Sequence, residues 1–343
     1  MKHTTLFQII LLSTLGVFSI QAQEDSVTHK KYLQHDKVVG NGKCLECHES
    51  EIKAWKTTKH FKNEDLHKNK DAWEIAKKMG IKSPARIRTS KLCTQCHFTV
   101  QKIGSSPAKA ISGVSCESCH GGAKDWIEVH NTGDRRESKD TPAAMAKRVA
   151  KAKSHGMLFP DMIHKVADNC YSCHIVTDEK LVNVGGHSVG SKSFDLAVWA
   201  SGEVRHNFFK NSNKNAPTPQ KRKRIFYLVG LTLDLEYSLR GVARATEKAD
   251  YGNSMGRRAG YKRKKVVEAI EKLGDAAPEE LKKIKELASA KGLIKYFNTK
   301  ALEAAAAAMS VQTKALAEKY DGSTFSALDD LIPAESKGKA FQP

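Results

Sequence analysis

The sequence predicts a mainly α-helical protein in two parts, a loop-rich N-terminal region of short helices and an α-helical bundle behind it. Three observations predict this. Four Cys-x-x-Cys-His pentads punctuate the first half of the chain. Between them, helical spacing of apolar residues holds for only a few turns at a time. Beyond residue 206 there is no further Cys or His, and apolar residues then recur at helical spacing over long stretches.

The pentads are Cys44-Leu45-Glu46-Cys47-His48, Cys93-Thr94-Gln95-Cys96-His97, Cys116-Glu117-Ser118-Cys119-His120 and Cys170-Tyr171-Ser172-Cys173-His174. This spacing is the attachment signature of c-type haem. Two thiols must reach the two vinyl groups of one porphyrin, and the next residue must put an imidazole nitrogen on the iron. The pentads use all eight cysteines, so four covalently attached haem c groups are expected, with Cys44, Cys47, Cys93, Cys96, Cys116, Cys119, Cys170 and Cys173 as anchors. His48, His97, His120 and His174 are the expected proximal iron ligands. Zinc would not require histidine directly after each second cysteine. The N-terminal region therefore reads as a loop-rich tetrahaem c-type cytochrome domain, whose apolar porphyrins supply core that its own side chains lack.

Residues 1–22 read as a signal peptide: Lys2, an apolar run from Leu6 to Ile20, and Ile20-Gln21-Ala22 as the cleavage site. The run is shorter than the roughly 20 residues of a membrane span. Export to the periplasm is expected, and it sets aside nucleic acid as the partner of a chain whose formal charge is +19. Eight propionates offset part of that charge. The remainder suits acidic or membrane-associated redox partner proteins; the sequence carries no indication of oligomeric state.

Residues 23–210 form the expected haem domain. Ile52 and Trp55 mark one face of a short helix after the first motif, and residues 71–79 another, stopped by Gly80. Ser83-Pro84 is a turn. The short interval between the second and third motifs should bring those two haems close together. Pro142 opens a basic helix to about Lys153. Residues 211–220, with Pro217 and Pro219, read as a linker. Residues 221–332 form the helical C-terminal domain, with helices at about 222–248, 255–273, 278–291 and 296–320. The third of these opens on Pro278, Glu279 and Glu280 and stops at Gly292. Residues 333–343 read as a flexible tail.

The chemistry turns on second axial ligands. An iron with one histidine can bind a small molecule, whereas an iron with two protein ligands is restricted to outer-sphere electron transfer. The spare histidines are His29, His35, His60, His67, His130, His155, His164, His187 and His206. Met157 and Met162 read as core filling. Counting alone does not assign the ligands.

Three stretches carry a resemblance. They are Lys43-Cys44 through His48 followed by Trp55-Lys56 and Thr58-Lys59-His60; Gly113-Val114-Ser115-Cys116-Glu117-Ser118-Cys119-His120-Gly121; and Cys170 through His174. Over roughly residues 40 to 175 the chain resembles the tetrahaem cytochrome c-554 and c-prime family of periplasmic electron carriers. The resemblance implies that His60 ligates the third haem, His130 the first and His164 the fourth, with the second haem five-coordinate in the type member. His187 and His206 lie beyond the resemblance; either can fill the second haem's open position or replace His164.

The leading reading is an electron carrier with closely spaced, mostly bis-histidine haems and no catalytic residue. The alternative is a haem enzyme reducing a small nitrogen or sulfur species, such as nitric oxide, at one five-coordinate iron, most plausibly the second. A docking role for the helical C-terminal half is compatible with the first.

Overall fold

The computed structural model describes residues 32–131, 141–191, 194–208 and 213–343. The expected signal peptide (1–22), His29 and the start of the expected linker lie outside the described residues. The fold is mainly α.

In the N-terminal half the helices are short: α1 (Asn41–Leu45), α2 (Glu49–Lys56), α3 (Lys59–Lys62), α4 (Lys70–Lys78) and α5 (Lys91–His97). An antiparallel hairpin follows, β1 (Phe98–Gln101) and β2 (Lys109–Gly113), with a register shift between Thr99 and Val100. Next come α6 (Cys116–His120), α7 (Ile127–His130), α8 (Pro142–Ser154), α9 (Ile163–His174), α10 (Glu179–Asn183) and α11 (Leu196–Ala200). Local chemistry sets several starts. The side chains of Thr58, Asn69, Thr141, Asp178 and Asp195 each accept a backbone N–H of the first turn they precede. Gly80 takes a left-handed φ of 82° just past α4.

The bundle consists of α12 (Gln220–Arg244), α13 (Asp250–Leu273), α14 (Glu279–Ser289) and α15 (Thr299–Lys319). The Leu231–Leu235 alternation lies inside α12, where a 25-residue helix wins over a strand. From Ile225 to Leu239 every residue of α12 is buried, as expected of a central helix covered on all sides. No helix among the described residues is long and apolar enough to cross a membrane. α13 begins five residues earlier than its apolar pattern suggests. Gly252, an apparent helix breaker, is a close-approach residue: a Cβ there would meet the Glu247 carbonyl oxygen at 2.8 Å and the Tyr296 ring at 3.0 Å.

The main hydrophobic core runs from Ile163 to Ile332 and joins α9, α11 and the four bundle helices. The fourth pentad, at the end of α9, is thereby seated on the bundle. Asp168 reinforces the joint by accepting from Tyr237 (2.7 Å) and from Tyr32 (3.0 Å). Around the first three pentads, by contrast, the second core cluster is centred on just Ala76, Ile87 and Phe98. That imbalance is what a region built around bound apolar groups should show.

Residues 333–343, expected to fray, run back along the molecule. Lys337 exchanges backbone hydrogen bonds with Glu203 and Val198. Asn215 donates to the Phe341 carbonyl at 2.8 Å, and the Phe341 ring meets Phe208 at 6.3 Å. The polar composition of this stretch hid backbone pairing that no periodicity announces.

Inside the bundle, Asp234 is fully buried and receives two hydrogen bonds from Arg258, at 2.6 and 2.7 Å, with Lys262 3.1 Å away. Removing the anion would leave two cations without their partner in a low-dielectric interior. Asp234→Ala should therefore lower unfolding free energy by about 3–5 kcal/mol in denaturant titrations. A change below about 1 kcal/mol, the size expected of a surface pair, would contradict that role.

Candidate haem sites

In each pentad one helical turn gathers the two cysteines and the histidine on one face, since residues three and four apart are neighbours on a helix. α5, α6 and α9 each end on the motif histidine. In the first motif the same turn is closed by hydrogen bonds from the Cys47 and His48 amides to the Cys44 carbonyl.

Each motif histidine faces a different second histidine. His48 and His130 have ring centres 6.3 Å apart, His97 and His187 6.3 Å, His120 and His206 6.1 Å, and His174 and His60 6.1 Å. A metal–imidazole bond of about 2.0–2.1 Å, with the nitrogen about 1.1 Å from its ring centre, puts two axial imidazoles about 6.3 Å apart. Direct ring stacking would bring the centres closer, as it does for His174 and Phe194 at 4.1 Å.

Second-shell contacts fix the imidazoles that face each other. A ligating histidine commonly ties its other ring nitrogen to a carbonyl or carboxylate, which selects the tautomer and orients the ring. Here Nδ1 of His120 lies 2.9 Å from the Leu158 carbonyl oxygen and Nδ1 of His130 2.5 Å from that of Ile127. The same atom of His187 lies 2.7 Å from the Ser188 carbonyl oxygen and that of His206 2.7 Å from Val204's. His48 Nδ1 sits 3.6 Å from the Glu51 carboxylate. In all five, Nε2 is left for a metal. Burial, then the neighbouring His206, pushes the His120 imidazole down to about 4. Burial with His60 and His97 pushes His174 down to about 3. Both are held neutral, the form that binds iron.

Buried donors point the same way. Nε1 of Trp126, Nε1 of Trp199 and Nε of Arg205 are buried without an acceptor. Trp126 stands edge-on to His130 at 5.2 Å, and Arg205 directly precedes His206. Unpaired buried donors are costly, and haem propionates are acceptors of the right kind. The residues present thus fit haem c.

The resemblance placed two histidines differently. His60 faces His174 rather than His120, and His206 takes the position at His120. His164, expected at the fourth haem, is not among the four facing residues. It begins the same helix that His174 ends, ten residues away, about 15 Å along one rigid axis, too far to face His174 across a single iron. His130 faces His48, as the resemblance implies, and His187 faces His97.

His60 reaches its position through the Trp-Lys…His element. Trp55 Nε1 donates to the Val114 carbonyl at 2.7 Å, and the Val114 amide donates to the His60 carbonyl at 3.0 Å. Gly113 permits this contact, because a Cβ there would lie 2.4 Å from the His60 oxygen. The residues that carry the resemblance therefore form a backbone clasp between α3 and the third pentad, while the His60 ring turns toward the fourth.

The pentads also touch one another. The Cys44 and Cys116 thiols lie near enough to shift each other's ionisation, Cys44 downward and Cys116 upward. Asn169, beside the fourth motif, donates to the Ser118 carbonyl at 2.7 Å. Burial pushes the Cys170 thiol up, with Cys119 the next contributor. Cys173 Sγ approaches the Gln95 carbonyl at 4.0 Å. The adjacency runs first–third–fourth–second, and the hairpin β1–β2 also folds the second motif back onto the third: Thr99, two residues past His97, lies 2.9 Å from the Ser115 hydroxyl and 2.7 Å from that of Ser118. Sequence reasoning also passed over Glu51, three residues past His48, and Glu117, inside the third motif; the i,i+3 spacing of His48 and Glu51 was a readable signal.

Glu117 is fully buried and its carboxylate accepts three backbone N–H groups, from Val39 (2.8 Å), Gly40 (2.8 Å) and Ala123 (2.9 Å). It fastens the approach to the first pentad onto the third. Glu117→Ala should cost at least about 1.5–3 kcal/mol, the worth of a charged hydrogen bond, and broaden the optical and EPR signatures of both sites. A fully stable variant with unchanged spectra would argue against the fastening.

Residues 43–121 match the family described as "Cytochrome c554 and c-prime". A curated relative, cytochrome c-554 of Nitrosomonas europaea, is 28% identical over 141 residues, covering 40% of this chain and 57% of the relative. The chain thus spans just over half the length of that relative. No solved structure matches the chain. Over its haem-motif region, residues 43–121, the chain is similar to the cytochrome c554 and c-prime family, a likeness that implies a c-type cytochrome with covalently attached haem c.

Proposed function

We propose that this protein is a periplasmic multihaem cytochrome that carries electrons between redox partner proteins through four bis-histidine haems. The observation that carries this reading is the pairing of every motif histidine with its own second histidine at 6.1–6.3 Å. Haem c would supply reversible one-electron chemistry at iron. The polypeptide's part is to hold the rings in place, exclude small molecules from the irons, and set potentials through ligand hydrogen bonds, burial and nearby charge. The proximity of Cys44 to Cys116, the Asn169–Ser118 link and the approach of Cys173 to Gln95 support one continuous path from the first pentad to the second.

The alternative, reduction of a small nitrogen or sulfur species at an open second haem, meets His187 in the position where such a species would bind. The basic surface supports docking of acidic partners, and exchange rates with them should fall as ionic strength rises.

Ring orientation makes the reading measurable. The facing rings at His48 are within 19° of parallel and those at His120 are 79° apart. Near-parallel imidazoles split the iron d orbitals strongly and give a rhombic EPR spectrum; near-perpendicular ones give a single large g value. The oxidised protein should show four haems by intact mass, all low-spin, with both signal types present. A native high-spin haem that shifts with added nitric oxide would overturn the reading in favour of the enzyme. His187→Ala should convert one haem in four to high spin while leaving the others unchanged; no new high-spin signal would remove His187 as a ligand.

A further inference from the structure

The cations of α13 fall into two sets. Between Asn253 and Val267 the helix carries Arg257, Arg258, Lys262, Arg263, Lys264 and Lys265 and no acidic residue. Arg258 and Lys262 turn inward to the buried Asp234, and Lys265 pairs with Glu268 at 2.8 Å. Among the described residues, Arg257, Arg263 and Lys264 enter no ion pair; Arg257 donates only to the Ser254 hydroxyl, at 2.9 Å. Arg257, Gly260, Tyr261 and Lys264 stand at i, i+3, i+4 and i+7, which puts them on one face of the helix. Arg257, Tyr261 and Lys264 are exposed there, and Tyr261 keeps 58% of its surface in solvent.

Two features of this face serve nothing inside the chain. Glycine in a helix interior costs stability relative to alanine. A Cβ at Gly260 would meet nothing within 4 Å, and one at Gly256 only the Tyr296 hydroxyl at 3.8 Å. Neither glycine is demanded by packing; both lower the helix surface beside Arg257 and Tyr261, so that another chain can come close. The uncompensated cations repel one another along the helix until an anionic surface covers them, and exposed Tyr and Arg side chains are the usual anchors of an interface. A second copy of this chain would bring the same excess of positive charge, +19. A helix lying in a membrane surface needs an apolar face for the lipid, and the apolar residues Met255, Ala259, Val266 and Ile270 of α13 are buried in the bundle. The occupant that fits is an acidic protein surface.

The inner side of the same turns reaches the fourth haem site. Arg258 donates to the Ser191 carbonyl at 2.9 Å, and Phe194, three residues on, lies against the His174 ring with centres 4.1 Å apart. We infer that the Arg257–Gly260–Tyr261–Lys264 face of α13 is the docking surface for an acidic redox protein that exchanges electrons through the fourth haem. The inference rests on the proposed electron-carrier reading and gives the C-terminal bundle a function in it. One electron leaves the partner's redox centre, which is oxidised, and reduces the fourth haem iron; no bond is made or broken.

The test is stopped-flow reduction of the haem-loaded full-length protein by reduced plant-type ferredoxin, a small acidic [2Fe–2S] protein, over a range of ionic strength. Arg257→Glu combined with Lys264→Glu should slow the second-order reaction about tenfold at low salt and flatten its salt dependence. Lys147→Glu combined with Lys151→Glu makes the same change in charge on the exposed side of α8, whose Arg148 donates to the His130 carbonyl, and should slow the reaction far less. Equal slowing by the two pairs would reduce the effect to net charge and overturn the inference. Gly260→Leu leaves the charge unaltered and favours the helix; it should slow exchange without loss of thermal stability, and a wild-type rate would overturn the docking face. His60→Met, which changes a ligand at the His174 site, should alter the rate more than His130→Met does at the first site; the reverse order would remove the fourth haem as the point of exchange. Binding to phosphatidylglycerol vesicles is measured on the same variants. Loss of vesicle binding with unchanged ferredoxin rates would assign the face to a membrane and overturn the proposal. Spin state is recorded on each sample: a high-spin haem in the wild-type protein defeats the bis-histidine carrier reading itself, whereas four low-spin haems reduced at an unchanged rate in the Arg257→Glu, Lys264→Glu protein defeat only this inference.

Discussion

The gap of about six ångströms between paired histidine rings is the constraint to which the rest of the structure answers. Each pair draws its members from different parts of the chain. His60 follows the first motif and faces the fourth, His130 follows the third and faces the first, and His206 lies beyond all four and faces the third. Holding those rings at a metal-sized separation requires the intervening chain to fold back repeatedly, and the short helices, hairpin and clasps do this. On the proposed reading, a metal bridge between distant segments would also restrict the unfolded chain in the way long-loop cross-links do, which would join ligation to folding.

The two halves solve that problem differently. Around the first three pentads the polypeptide offers only a small side-chain core and relies on directed polar contacts. Glu117 gathers three amides, and Trp55 reaches the Val114 carbonyl. From α9 onward a large apolar core takes over, with α12 buried through its middle and the Asp234–Arg258–Lys262 cluster inside it. The fourth pentad stands at the junction. Its helix belongs to the large core, and its histidine meets a ring from the far end of the haem region.

Much of this was legible in the sequence. The pentads announced their chemistry because attachment of a c-type haem fixes residue types and spacing together. The bundle helices announced themselves by periodicity, and α4, α8 and α14 by their start and stop residues. The partners of the motif histidines were harder to read. Local similarity near His60 reports the clasp to Val114, a backbone contact beside the third motif, and says little about where the side chain turns. His164 could have been set aside once α9 was recognised as one helix ending in His174. The short separation of the second and third motifs gave no sign of the hairpin that sets Thr99 against Ser115 and Ser118. Tertiary contacts made by polar chain, such as residues 333–343 against Val198, Glu203 and Asn215, leave no periodic trace.

The central claim is the identity of each facing pair, and a crystal structure of the haem-loaded protein with the irons located by anomalous scattering tests it most directly. The account requires His60 and His174 on one iron, His206 and His120 on another, His130 with His48, and His187 with His97. His60 on the iron of His120, or an iron at His97 with no second protein ligand, would contradict it.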